Sequence, residues 1–156
     1  MLAGCGTGRR TAFAGSGGGS RVYKISASLA ERIPFRMLDA VNALRGARAI
    51  GPLSFDAALD AAALTHSRDM SMQNRPWHFG SDGSSPLLRV QRVGYAGAFL
   101  GELISETFDT ELETLSAWMN DTNTRAVLMD PLASQMGFAW YQETSGKIWW
   151  TLLTGA

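Results

Sequence analysis

The sequence predicts an α+β domain built in layers, and three observations predict it. Apolar residues recur at helical spacing through most of the chain up to Met129. The chain then ends in a hairpin pattern: Met136, Phe138 and Trp140 alternate with Gly137, Ala139 and Tyr141, Thr144-Ser145-Gly146-Lys147 turns, and Ile148 to Leu153 returns. One more short apolar run, Phe99-Leu100-Gly101-Glu102-Leu103-Ile104, reads as a buried strand interrupted by a carboxylate. Helices followed by a small sheet must bury their apolar faces against each other in layers.

The elements follow in order. Residues 1–20 do not read as fold. Gly15-Ser16-Gly17-Gly18-Gly19-Ser20 is a flexible linker by composition, and Leu2-Ala3-Gly4-Cys5 before it resembles a bacterial lipobox. A cysteine followed by a linker is what a tether needs, so Cys5 is the expected lipidation site. The alternative is a free cysteine in a tail. Residues 21–34 are transitional, with a first helix expected near Pro34 and an apolar stripe of Met37-Leu38, Val41 and Leu44. A second helix is expected from about Asp56 to Met72, capped by Ser54 or Asp56, with Leu59, Ala62-Ala63, His66 and Met70 on one face. A histidine on such a stripe is expected to be a core residue with one satisfied hydrogen bond. Asn74 to Ser85 is loop. Ser85-Pro86 opens a third helix that Gly94 ends, and Thr110-x-x-Glu113 is a capping box for a fourth. A short last helix runs from Arg125 to Met129, before Asp130-Pro131. The return strand is apolar on both faces, which predicts a central strand covered by helices on each side.

Composition narrows the function. Apolar residues make up 46% of the 156-residue chain and charged residues 18%, enough for one full core. Fourteen basic residues balance fourteen acidic ones without a basic stripe, so nucleic acid is not an expected partner. No apolar run is long enough to span a membrane, which leaves a lipid anchor as the only expected membrane attachment. A single cysteine excludes a disulfide framework and a cysteine-ligated zinc site.

The chemistry concentrates in Trp77-His78-Phe79-Gly80-Ser81-Asp82-Gly83, a turn that carries an imidazole beside two aromatic rings, and in Gly101-Glu102. A buried ionised carboxylate is costly unless paired, so Glu102 needs a partner. A histidine–carboxylate pair is one candidate, with a neighbouring carboxylate fixing the imidazole tautomer. Asp121 is well placed as the N-cap of the helix that carries Arg125. No serine near His78 sits on the sharp strand-to-helix elbow that a nucleophile requires.

Asn42-x-x-Arg45, Ala62 through Asp69-Met70, His78-x-Gly80-x-Asp82-Gly83, Pro86-x-x-Arg89, Gly101-Glu102-x-Ile104, Trp118-Met119, Arg125 and Met136-Gly137 stand in the order found in the CAP superfamily. That superfamily groups cysteine-rich secretory proteins, antigen 5 and pathogenesis-related 1 proteins, and this chain resembles its cysteine-poor bacterial, SCP-like branch over residues 35–156. The resemblance implies a three-layer α-β-α sandwich with a small antiparallel sheet and an extracytoplasmic protein, lipid-anchored or secreted. It also implies a cleft that in complete members carries two histidines and two acidic residues able to hold a divalent metal. His78 matches the first histidine and Glu102 the glutamate of the family's Gly-Glu-Asn pattern, with Leu103 in place of asparagine. Asp121 falls where the second acidic residue stands, and Thr124, before Arg125, where the second histidine stands.

Threonine is a poor metal ligand and no base at neutral pH. The expectation is therefore a binding protein without a complete catalytic set. Its ligand cleft is formed by Trp77, His78, Phe79, Glu102, Asp121 and Thr124, and it requires no cofactor. The partner is an envelope, lipid, polysaccharide or protein ligand. The alternative is a metal-assisted peptidase or esterase with a weakly bound divalent ion on His78 and Glu102.

Overall fold

The computed structural model describes residues 22–156; the lipobox-like segment with Cys5 and the Gly/Ser linker lie outside them. The order is α1 (Ala27–Gly46), β1 (Ser54–Phe55), α2 (Ala57–Gln73), α3 (Pro86–Arg92), β2 (Phe99–Ser105), α4 (Glu111–Asn120), α5 (Thr122–Leu128), β3 (Gln135–Gln142) and β4 (Ile148–Gly155). The sheet order is β1-β3-β4-β2. β4 is central, antiparallel to both neighbours, and buried along its whole length.

Two apolar clusters lie on opposite faces of this sheet. One gathers Ile33, Met37 and Val41 of α1, Leu115 and Trp118 of α4 and Leu128 of α5 against Leu103, Phe138, Trp150 and Leu152. The other gathers Leu59, Ala62 and Ala63 of α2 and Val90 of α3 against Ala139 and Leu153. The result is the three-layer α-β-α sandwich. Gly137 lets the second layer close, because a Cβ there would overlap the α2 backbone at Leu59.

Two expectations are corrected. The first helix starts at Ala27, not near Pro34, so most of the segment read as transitional is already helix. Ser26 caps it by accepting from the Leu29 N–H at 3.2 Å. Pro34 sits inside, where it removes one intrahelical donor. The fully buried Ile33, Met37 and Val41 hold the helix across that interruption. The sheet is also mixed rather than antiparallel: the two-residue β1 pairs in parallel with β3, Ser54 opposite Gln135 and Phe55 opposite Met136.

The remaining boundaries follow their signals. Asp56 caps α2, accepting from Ala58 N and Leu59 N at 2.9 Å each. Ser85 caps α3, with Pro86 in its first turn, and Gly94 follows at φ +78°, the left-handed geometry that glycine tolerates. Thr110 caps α4 through Glu113 N. The last helix begins at Thr122 rather than Arg125 because Asp121 caps it, accepting from Asn123 N and Thr124 N.

Arg45 ties the layers at one end. It is fully buried, and its guanidinium donates to four carbonyl oxygens: Gly51 and Leu128 at 2.7 Å, Ala133 at 2.8 Å and Asp130 at 3.0 Å. Asn42 beside it forms a reciprocal pair with the Leu53 backbone, at 2.8 and 3.0 Å, and so holds the segment entering β1.

Candidate functional site

Glu102 is the centre of the site. Strand alternation sends Leu103 into the α1/α4 cluster and its neighbour Glu102 to the other face, under α2 and α3. Its side chain is only 1% exposed, and both carboxylate oxygens are engaged. Oε2 accepts from Arg89 on α3 at 2.6 Å. Oε1 meets His78 Nδ1 at 2.9 Å, with His66 Nε2 from α2 at 3.6 Å. The Arg89 side chain is itself only 6% exposed, so a buried cation and a buried anion neutralise each other.

His78 bridges this buried pair and the surface. Its side chain is 51% exposed while Nδ1 faces Glu102. A carboxylate accepts only, so Nδ1 carries the proton in the neutral ring, and Nε2 is left as an acceptor. The loop that carries His78 is fixed residue by residue. His66 Nε2 holds the Trp77 carbonyl at 2.9 Å, Arg89 donates to the His78 carbonyl at 2.9 Å, and Gln73 donates to the Phe79 carbonyl at 3.3 Å. Asp69 accepts from both the N–H and the hydroxyl of Ser81 at 2.6 Å. Gln73 Oε1 also takes the Trp77 indole N–H at 2.7 Å. Trp77 and the 48%-exposed Phe79 stand beside each other with centroids 5.7 Å apart, and the Arg75 guanidinium lies 3.8 Å over the Trp77 ring.

The other expected cleft members are elsewhere. Asp121 is exposed and spends its carboxylate on capping α5; Thr124 donates its hydroxyl to the Trp118 carbonyl at 2.6 Å. Neither bonds to His78 or Glu102, and α4 and α5 belong to the opposite layer. Arg125 donates to the Met119 carbonyl rather than to Glu102. Among the described residues no group of three or more His, Cys, Asp or Glu is placed to hold a metal ion. The donors that are present do not fit one either: a guanidinium already occupies one oxygen of Glu102 and an imidazole the other.

His66 is fully buried with one hydrogen bond, as its apolar stripe predicts, but it also borders Glu102. Its Nε2–H serves the Trp77 carbonyl, and Nδ1 has no partner. Burial lowers its pKa below the ordinary imidazole value, Glu102 pulling back up and Arg89 pushing further down. The folded protein therefore binds fewer protons here than the unfolded chain once the pH falls below about 6.5. Stability is expected to decline as the pH drops through that value and to keep declining towards the folded-state pKa. Urea midpoints measured between about pH 7.5 and 5 should show this slope, and His66→Gln should flatten it.

Gln73 is the site residue that the sequence did not single out. Arg89 stood in the Pro86-x-x-Arg89 pattern, but the pattern did not assign it to Glu102, whose demand for a partner was the one hint of that role.

The chain has relatives. A family model described as the cysteine-rich secretory protein family, CAP, matches residues 38–153. The chain belongs to the CAP family. It is 28% identical over 114 residues to the Bacillus subtilis (strain 168) protein named "Uncharacterized protein YkwD", a match that covers 73% of this CAP chain and 44% of that protein. The chain thus spans less than half the length of that relative. An outer surface protein from Borrelia burgdorferi shares the CAP fold at a TM-score of 0.72 and 16% identity, over 80% of this chain and 92% of that one. An extracellular protein containing an SCP domain from Bacillus anthracis str. Ames matches with a TM-score of 0.72 and 19% identity, over 85% of this chain and 44% of that one. Among the described residues, no helix is long and apolar enough to cross a membrane.

Proposed function

We propose that this CAP-family chain is an extracytoplasmic binding protein whose ligand surface is the face formed by His78, Trp77 and Phe79, with Glu102 as its buried brace. The observation that carries this reading is the commitment of Glu102: with Arg89 on one oxygen and His78 on the other, it has no free oxygen with which to bind a metal or take a proton. What reaches solvent is an oriented imidazole edge beside two aromatic rings. Rings flanked by a hydrogen-bonding group fit a sugar, whose C–H faces stack and whose hydroxyls bond, so an envelope polysaccharide is the ligand class favoured here. Likeness to an outer surface protein and to an extracellular protein supports an extracytoplasmic location. Anchoring through a lipid on Cys5 is supported by the Leu2-Ala3-Gly4-Cys5 pattern.

The test uses isolated peptidoglycan sacculi in a co-sedimentation assay. The wild-type chain is expected to sediment saturably. Phe79→Ala and His78→Ala are each expected to weaken the association about tenfold or more, the size of one lost stacking or hydrogen-bonding contact in a desolvated patch. Retention undiminished in both variants would remove this face as the binding surface.

A hydrolase is the second reading, favoured by one observation: a histidine held by a buried carboxylate leaves Nε2 as an acceptor that can serve as a base. The nearby hydroxyls do not complete it. Ser81 donates to Asp69, Ser84 is buried, and Ser85 caps α3.

A further inference from the structure

The two outer edges of the sheet differ. β2 closes one of them. Its register shifts between Phe99 and Gly101, Val127 of α5 lies where a Cβ on Gly101 would be, and the Trp118 indole donates to the Ile104 carbonyl at 3.1 Å. β3 leaves the other edge open, because its outer neighbour β1 covers only Gln135 and Met136. Past that point Asp60 on α2 accepts from the Phe138 N–H at 2.9 Å. Backbone groups of every second residue turn the same way, so the Phe138 carbonyl and both backbone groups of Trp140 and Gln142 also face outward. Among the described residues, none of these five groups has a hydrogen bond. Exposed edges are usually guarded by a charge, a proline or a bulge. Phe138-Ala139-Trp140-Tyr141-Gln142 has none of these. α2 runs alongside in the same direction, with Asp60 bonded to Phe138, Leu64 lining one shallow groove with Ala61 and Trp140, and Ser71 bonded to Glu143.

We propose that this edge pairs with the same edge of a second copy of the chain, so that two sheets join as one across a two-fold axis. Antiparallel pairing about Trp140 lets the two Trp140 residues exchange both of their backbone hydrogen bonds. It also sets each Gln142 N–H opposite the Phe138 carbonyl of the second copy. The Phe138 N–H keeps Asp60, and only the Gln142 carbonyl is left to water. The same axis matches the charges. Asp60 and Arg68 stand four residues before and four residues after Leu64 on α2. Two α2 helices antiparallel across the axis bring Leu64 to Leu64, and Asp60 of each copy to Arg68 of the other. Arg68 is exposed and has no ion-pair partner among the described residues. Backbone groups and charges that are both self-complementary about one axis favour a second copy over an unrelated peptide. Glu102 and His78 lie by β2 at the opposite edge, so the pairing leaves the proposed ligand face free and does not depend on it.

Sedimentation equilibrium of the chain tests this, with reductant present so that Cys5 cannot cross-link two copies. A reversible monomer–dimer equilibrium is expected. Hydrogen exchange of the Trp140 and Gln142 amides should slow as the protein concentration rises, while amides of β2 stay unchanged. Arg68→Glu, an exposed substitution that leaves the fold alone, sets like charges at both ends of the α2 pair and should weaken the dimer at least about tenfold. Leu64→Glu brings two carboxylates together at the axis and should abolish it. Leu87→Ser, on α3 away from this edge, should have no effect. A chain that stays monomeric at every concentration would overturn the proposal. So would a dimer that survives both Arg68→Glu and Leu64→Glu, or one whose Trp140 and Gln142 amides exchange as fast as in the monomer. A monomer whose two amides are protected only by an added alternating Thr-Val peptide would give the edge to another partner and overturn it as well.

Discussion

Replacing Arg45 by Met is expected to destabilise the fold by about 3–5 kcal/mol, a large share of a small domain's total stability. The guanidinium lies fully buried and satisfies four carbonyl oxygens, those of Gly51 in the loop after α1, of Leu128 at the end of α5, and of Asp130 and Ala133 in the loop between α5 and β3. Burial lowers its pKa and the Asp130 charge raises it, but an arginine stays protonated at any pH the fold survives. Methionine fills most of the volume and supplies no donor, so four buried acceptors lose their partner at once. Lysine keeps the charge but presents donors from one point instead of a planar fork, and Arg45→Lys should lie between Met and the wild type. Urea denaturation of the three proteins checks the order. A loss below about 1 kcal/mol for Arg45→Met would mean that water replaces the guanidinium, contrary to the burial.

Glu102→Ala is the second large effect, again about 3–5 kcal/mol, because it leaves the buried Arg89 without a counter-charge. It also frees His78 Nδ1 and removes the carboxylate that His66 borders. Glu102→Gln keeps the shape and one acceptor for Arg89 but loses the charge, and should cost less, about 1–3 kcal/mol. Chemical denaturation separates the two variants. If Glu102 were held mainly for a reaction rather than as a brace, both substitutions would be nearly neutral for stability, since catalytic groups are often kept at the expense of stability.

The parts of this fold legible in the sequence are those fixed by local chemistry. The stripe from Leu59 to Met70 located α2, the alternation after Met136 located the hairpin, and Thr110, Asp121 and Ser85 marked helix starts because each cap uses a backbone donor two or three residues away. The start of α1 was not legible, because Pro34 carries a first-turn signal and only the burial of Ile33 and Met37 overrides it. β1 was not legible because two residues have no periodicity and their partner lies far along the chain in β3. The site divides in the same way. His78 and Glu102 stood out as residue types in unusual surroundings, and the need for a partner at Glu102 followed from its apolar neighbours. That the partners are Arg89 and His78 together, and that Gln73 and Asp69 pin the loop, depends on how α2 and α3 lie over the sheet. No local pattern encodes that.

The pinning of His78 by a buried carboxylate underlies both the binding surface and the case against a metal at Glu102. Its most direct test is the tautomer of His78, read from the nitrogen chemical shifts of the neutral imidazole in ¹⁵N-labelled protein. The Nδ1–H form is expected, with Nε2 bare, and Glu102→Gln should reduce its excess. A predominant Nε2–H form in the wild-type chain would contradict the account, since Nδ1 would then face Glu102 with no proton to give.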